Sequence, residues 1–237
     1  MQFHSPGSSP VRMRAEHRGP QGVTGQSEIR FSPTPAGVQW AEVAKNGKGK
    51  PFATLAMDWN RQGELINATW EDLRKGITGS CTTAEKGVAL SIQQGEWKTL
   101  YQIQGDEVPF PLLKLALQNR FPHLTPGEPF GVNLIIPELA LQLQKQGLPE
   151  TWMRVKLTGR LGNSESITLG GQTLVGRWVE LVPADSLMQS FLPEDYRSIR
   201  FLLQEAAPHW PLVMVQGKQE FRLVRLEAGE PKTPAGP

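Results

Sequence analysis

Short runs of alternating apolar and polar residues, divided by turn-forming residues, dominate this chain. Folding residues 38–44 against 52–59 about Asn46-Gly47-Lys48-Gly49, with Lys45 opposite Lys50, puts Val38 and Trp40 on one face with Leu55, Met57 and Trp59. That face is wholly apolar, so both indoles are expected in the core, with Lys45, Lys48 and Lys50 at the solvated tip. A second hairpin joins residues 87–93 to 96–103 about Gln94-Gly95, and sets Val88, Leu90 and Ile92 against Trp97, Thr99 and Tyr101. A third joins residues 167–169 to 172–182 through Gly170-Gly171, a pair free to adopt the positive φ of a two-residue turn. Residues 212–215 and 220–226 make the last pair, through Gln216-Gly217-Lys218.

Proline at a first helical turn costs no hydrogen bond, and it opens the segments 111–120, 137–146 and 193–206. Gly147 sits where the second of these should stop. The third carries Glu194 and Asp195 at its positive end and an apolar stripe of Tyr196, Ile199, Leu202 and Leu203. A shorter helix is expected over residues 69–75, closed by Gly76. These elements predict an α+β protein: a mainly antiparallel sheet built from hairpins, with about three to four interspersed helices and no βαβ alternation.

Residues 1–27 hold Gly, Pro, Ser and Arg without an apolar run, and predict a disordered basic tail with Arg12, Arg14 and Arg18 against Glu16. Residues 227–237 predict a second disordered tail. Between them, residues 28–226 form one α+β domain, or two packed halves divided near 104–110 or 147–150.

The net charge of +2 in 237 residues gives no overall attraction to polyanions, so any basic surface must be local. One cysteine, Cys81, excludes an internal disulfide and suits a reducing compartment, hence a cytoplasmic location. Residues 1–25 lack the apolar run of a signal peptide, and no stretch of eighteen apolar residues offers a membrane helix, so no membrane partner is expected.

The four histidines and the cysteine show no ligand spacing, so neither metal nor cofactor is expected. Cys81 has no histidine near it in sequence, and there is no GxSxG elbow or GxxxxGK[ST] loop. The segment NGKGK at 46–50 joins two strands and lacks the helix whose N-terminus would hold a nucleotide phosphate. Binding surfaces are more legible. In residues 152–158, Met153, Val155 and Leu157 share one strand face, while Trp152, Arg154 and Lys156 share the other, with Arg160 beyond. Cations neutralise phosphates and an indole stacks on an open base. This predicts a non-enzymatic protein that contacts single-stranded DNA or RNA through Trp152, Arg154, Lys156, Arg160 and the tip lysines Lys45, Lys48 and Lys50. The alternatives are an accessory subunit docking a larger protein complex, and an enzyme built on carboxylates or Cys81.

Overall fold

The computed structural model describes residues 9–84, 87–147 and 154–228. It corrects the α+β expectation: the chain is 63% strand and 14% helical, wound into one nearly closed fifteen-stranded barrel. In chain order the strands are β1 (Val11–Gly19), β2 (Gly22–Thr34), β3 (Gly37–Asn46), β4 (Pro51–Asn60), β5 (Leu65–Asp72), β6 (Ile77–Ala84), β7 (Gly87–Gln94) and β8 (Trp97–Ile103). After β9 (Glu107–Pro109) come α1 (Leu113–Arg120), β10 (Phe130–Ile135), α2 (Pro137–Lys145), β11 (Arg154–Leu169) and β12 (Gln172–Pro183). A short α3 (Ser186–Phe191) precedes β13 (Ile199–Gln204), β14 (Pro211–Gln216) and β15 (Gln219–Ala228).

Neighbours in the sheet run β8 to β1 in descending order, then β15 to β9. The first and last strands, β1 and β15, thus pair in the middle of the sheet, and β8 and β9 are its two edges. All neighbours are antiparallel except β9 and β10. Parallel strands need a crossover, and here it is the buried helix α1. Leu113, Leu115, Ala116, Leu117 and Gln118 are all buried, as expected for a helix that lies inside the barrel wall. Lys114 on its second residue lies 5.0 Å from the ring centre of Trp40, and Gln118 Nε2 donates to the Pro208 carbonyl at 2.6 Å. The barrel is therefore filled.

Each hairpin expected from the sequence is present. The tip register differs slightly, because Lys45 pairs with Pro51 across a bulge. Trp40 and Trp59 are 2% and 1% exposed, as their shared face required. Phe31 packs edge-on against both and against Trp210, with ring centres 5.9–6.5 Å apart. The Trp70 indole lies on Gly79, where an added Cβ would meet its Cζ2 at 2.1 Å.

Helices over residues 111–120 and 137–146 correspond to α1 with its leading turn and to α2. Two other expected helices are strands. Residues 193–206 form one 3-10 turn at Glu194–Tyr196 and then β13, because Ile199, Phe201 and Leu203 alternate as a strand with Leu202 buried on the opposite face. Residues 69–72 belong to β5, and residues 73–76 are a turn. The expected basic tail needs correction as well. Residues 11–27 enter β1 and β2, with Met13, Ala15 and Ser27 buried and Arg12, Arg14 and Arg18 turned to solvent. Residues 104–106 connect β8 to β9, the two edges of one sheet that includes strands from both sides of this segment.

The two sheet edges overlap. Tyr101 shares a face of β8 with the buried Thr99 and Ile103, whereas Glu107 and Arg154 lie opposite the buried Val108 and Val155. Tyr101 Oη nevertheless donates to Glu107 Oε2 at 2.9 Å, and Arg154 Nε sits 2.9 Å from Glu107 Oε1. One edge thus laps over the other, and α2 seals the lap through Thr99 Oγ1, which donates to Gln144 Oε1 at 2.5 Å.

Candidate functional site

The structure scatters the residues expected to hold a polynucleotide. Val155 and Leu157 are buried with Arg154 and Lys156 on the other face, so the alternation holds. Trp152 lies outside the described residues. Arg154, however, is engaged with Glu107 and with the Tyr101 hydroxyl in the lap, and is not available to a ligand. Arg160 sits opposite Glu180 in the β11–β12 register. Lys45 is paired with Glu28 at 2.8 Å and holds that carboxylate below its usual pKa. The lysine tip on β3–β4 and the basic face of β11 are separated in the sheet by β2, β1, β15, β14, β13 and β12. No single surface carries both sets, and the nucleic-acid reading falls with them.

Lys48 and Lys50 do belong to a different grouping. In an up-and-down sheet, alternate turns fall at the same end. The β1–β2, β3–β4, β5–β6 and β7–β8 turns therefore share one end, together with the β14–β15 turn and α2. Contacts knit these turns into a rim. The Gly47 N–H donates to Thr24 O at 3.0 Å, and Leu73 N–H to Phe52 O at 2.9 Å. Gln94 Nε2 donates to Lys75 O at 2.8 Å, and Lys145 Nζ to Gln94 Oε1 at 2.7 Å. Asn46 shapes the lysine tip, since its Oδ1 accepts the Lys48 and Lys50 amides at 3.0 Å each.

The rim presents Arg18, Lys48, Lys50, Arg74, Lys75, Lys98, Lys145 and Lys218 as exposed cations and Glu96 as an exposed acid, and the β12–β13 connection at the same end adds the exposed Asp185, Glu194, Asp195 and Arg197. It also exposes large apolar side chains: Val23 at 54%, Leu73 at 47% and Trp97 at 45%. Each stands in or beside a different turn, with basic residues close by. Among the described residues, Lys48, Lys50 and Lys98 carry no ion pair; Arg74 lies 4.2 Å above the Phe52 ring and 3.5 Å from Asp72. Sequence reasoning found the lysine tip but missed the rim. The sequence pattern puts Leu73 in a helix and Trp97 across from the apolar residues of its hairpin, and only the common end of the turns reveals them as neighbours.

A polar network lies under the rim, inside the wall. His17 Nε2 is 2.7 Å from Ser27 Oγ, which donates to Glu42 Oε1 at 3.3 Å; Glu42 in turn pairs with Lys114. Burial holds the His17 pKa below its ordinary value; Glu42 opposes this, while Lys114 and Arg74 reinforce it. The order is wrong for a hydrolytic triad. The carboxylate contacts the serine instead of orienting the histidine, and Ser27 is fully buried. Phe52 and Phe221 flank the imidazole edge-on, so the network reads as a satisfied polar core. Cys81 is 1% exposed, and burial raises its thiol to about 12, which removes the thiolate a nucleophile requires.

No protein-family model and no curated protein sequence matches the chain. Solved structures resemble it at the level of the barrel. A β-barrel-like protein from Brucella abortus, whose domain is of unknown function, is 10% identical with a TM-score of 0.45, over 94% of this chain and 99% of that one. A candidate lipoprotein from Parabacteroides distasonis is 11% identical with a TM-score of 0.38, over 95% and 98%. A candidate exported protein with a YmcC-like fold from Bacteroides fragilis is 10% identical with a TM-score of 0.37, over 96% and 100%. Likeness this distant transfers no residue roles. The cytoplasmic expectation loses its premise, because a lone thiol forms no internal disulfide in any compartment.

Proposed function

We propose that the protein is a peripheral binding protein whose rim docks on an anionic lipid surface. The observation that carries this reading is the placement of Val23, Leu73 and Trp97, each solvent-exposed in or beside its own turn, at an end of a filled barrel where exposed lysines and arginines outnumber exposed acids. Interfacial binding scales with buried apolar area plus attraction to anionic lipid. Tryptophan suits the boundary, with an apolar ring and one polar N–H. Lysines beside the tips reach headgroups while their stems cover apolar surface. Such docking needs no spanning helix, and no helix of the described residues is long and apolar enough to cross a membrane. The expectation of no membrane partner rested on the absence of a signal-like apolar run and of a spanning stretch, and neither bears on docking at a surface.

The test is co-sedimentation with vesicles of phosphatidylcholine alone and of phosphatidylcholine with phosphatidylserine, at low and at 0.5 M salt. Binding is expected on the anionic vesicles, weakened by salt and by Trp97→Ala with Leu73→Ser. Equal partition onto both vesicle types, or indifference to those substitutions, refutes the reading.

A further inference from the structure

At the rim end, the lap between the two sheet edges is closed by α2. A helix of nine residues is too short to hold its shape by its own hydrogen bonds, so α2 depends on what it touches. Its apolar side is buried through Pro137, Ala140, Leu141 and Leu143. Its polar ties run to turns and strand ends of the rim. Near its start, Glu138 Oε1 accepts from Lys75 Nζ at 2.7 Å, and Glu138 Oε2 from Tyr196 Oη at 2.8 Å. Near its end, Lys145 Nζ donates to Gln94 Oε1 at 2.7 Å. There Gln144 Oε1 accepts from Thr99 Oγ1 at 2.5 Å, and Gln144 Nε2 donates to the Lys98 carbonyl at 3.2 Å. The helix thus ties the β5–β6 and β7–β8 hairpins, on one side of the lap, to the β12–β13 connection on the other.

Two of these ties are made by exposed cations of the rim, Lys75 and Lys145. Neither meets a fully buried opposite charge. The Lys75 side chain is half-exposed beside Glu138, a setting in which an ion pair contributes little. Lys145 meets only a neutral amide oxygen. An anionic headgroup offers each ammonium a full negative charge. Departure of Lys75 does not leave Glu138 bare, because Tyr196 Oη still donates to it. Burial, and then Glu138 itself, raise the Tyr196 pKa, so that hydroxyl keeps its proton.

We propose that α2 is a lid over the lap, latched by Lys75 and Lys145, and that docking on an anionic lipid surface opens it by drawing both ammonium groups to headgroups. Such a lid rests on the rim reading, since it opens only where the rim meets lipid. Opening pivots the helix about the Glu138–Tyr196 contact, frees its C-terminal turn and presents the buried Leu141 and Leu143 to the bilayer. The coupling is reciprocal: a change that loosens the latch must strengthen docking.

Amide hydrogen exchange of the whole chain tests the lid, alone and with vesicles of phosphatidylcholine or of phosphatidylcholine with phosphatidylserine. With the anionic vesicles, exchange at residues 141–146 is expected to rise by roughly tenfold or more, while residues 40–43 stay protected. Phosphatidylcholine alone should change neither. Gln94→Ala with Thr99→Val removes two ties without altering charge. It is expected to speed exchange at residues 141–146 without lipid and to raise partition onto anionic vesicles by roughly fivefold. Co-sedimentation of the same samples separates the lid from the rim. A chain that sediments with anionic vesicles while residues 141–146 stay protected overturns the lid and leaves the rim reading standing. A chain that does not sediment removes both. Equally fast exchange with phosphatidylcholine alone overturns the latch, as does a double variant whose partition does not rise.

Discussion

The two ends of the barrel are made from the same kind of hairpin and differ in what their turns carry. At the rim, the turns hold Lys48, Lys50, Arg74, Lys75 and the exposed Val23, Leu73 and Trp97. At the far end, the charged residues of the described connections are Arg61, Glu64, Asp106, Glu128 and Glu205. Arg61 there donates to Pro35 O at 2.8 Å, and one large apolar side chain, Ile66 beside the β4–β5 turn, is 42% exposed. A turn needs only Gly, Pro, Asn or Asp to close, and its other positions are free of folding constraint. The far end uses that freedom mostly for acids and small residues. The rim confines its exposed acids to the β7–β8 turn and the β12–β13 connection and uses its other turns for cations and apolar tips, which add nothing to closing a hairpin.

The harshest way to break the comparison removes the scaffold common to both ends. Trp59→Ala should destabilise the fold by about 3–5 kcal/mol, read from the urea midpoint, because the indole sits at 1% exposure against Phe31. Both ends should be lost together in one transition. Separate melting of the rim hairpins would show that they form their own unit.

Next in size is charge. Each basic residue near an anionic bilayer contributes about 1 kcal/mol, so Lys48→Gln with Lys50→Gln should cut vesicle partition roughly thirtyfold. The change should leave the urea midpoint where it was, since both side chains are exposed. A loss of stability instead would make the tip a structural feature.

A smaller effect depends on pH and lies beneath the rim. Burial holds His17 below its ordinary value of 6.5, so the folded chain takes up that proton less readily than the unfolded chain. Stability is then full above the unfolded value and declines as pH falls below about 6.5 and through the folded one. Urea midpoints at pH 7.5 and 5.5 should differ more for the parent than for His17→Gln. An equal difference in both would leave the decline to carboxylates elsewhere.

The smallest expected effect is at the far end, where Arg61→Glu should leave vesicle partition unchanged. A drop comparable to that of the tip lysines would mean that total charge, and not the rim, drives binding.

Much of the sheet was legible because hairpins are specified locally. Gly170 and Gly171 adopt φ of 55° and 87° between β11 and β12, as the pair of glycines predicted. The errors came where local signals compete. Residues 11–18 alternate Val11, Met13, Ala15 and His17 with Arg12, Arg14, Glu16 and Arg18, a strand signal masked by the Gly, Pro and Ser around it. Ile199, Leu202 and Leu203 satisfy a helical stripe, yet Ile199, Phe201 and Leu203 satisfy a strand equally well. A short apolar run buried on both faces cannot be resolved by period alone. The rim was invisible for another reason: Val23, Lys48, Leu73 and Trp97 are far apart in sequence, and each looks unremarkable in its own turn.

By itself the sequence determined the hairpins, their turns, α2 and the burial of Trp40 and Trp59, because backbone turn preferences and side-chain alternation act over a few residues. Tertiary structure alone decided that β1 pairs with β15, that the edges lap at Tyr101 and Glu107, and that one end collects the cations and apolar tips. These depend on how the whole sheet closes around α1, where burial of a shared interior outweighs any local preference.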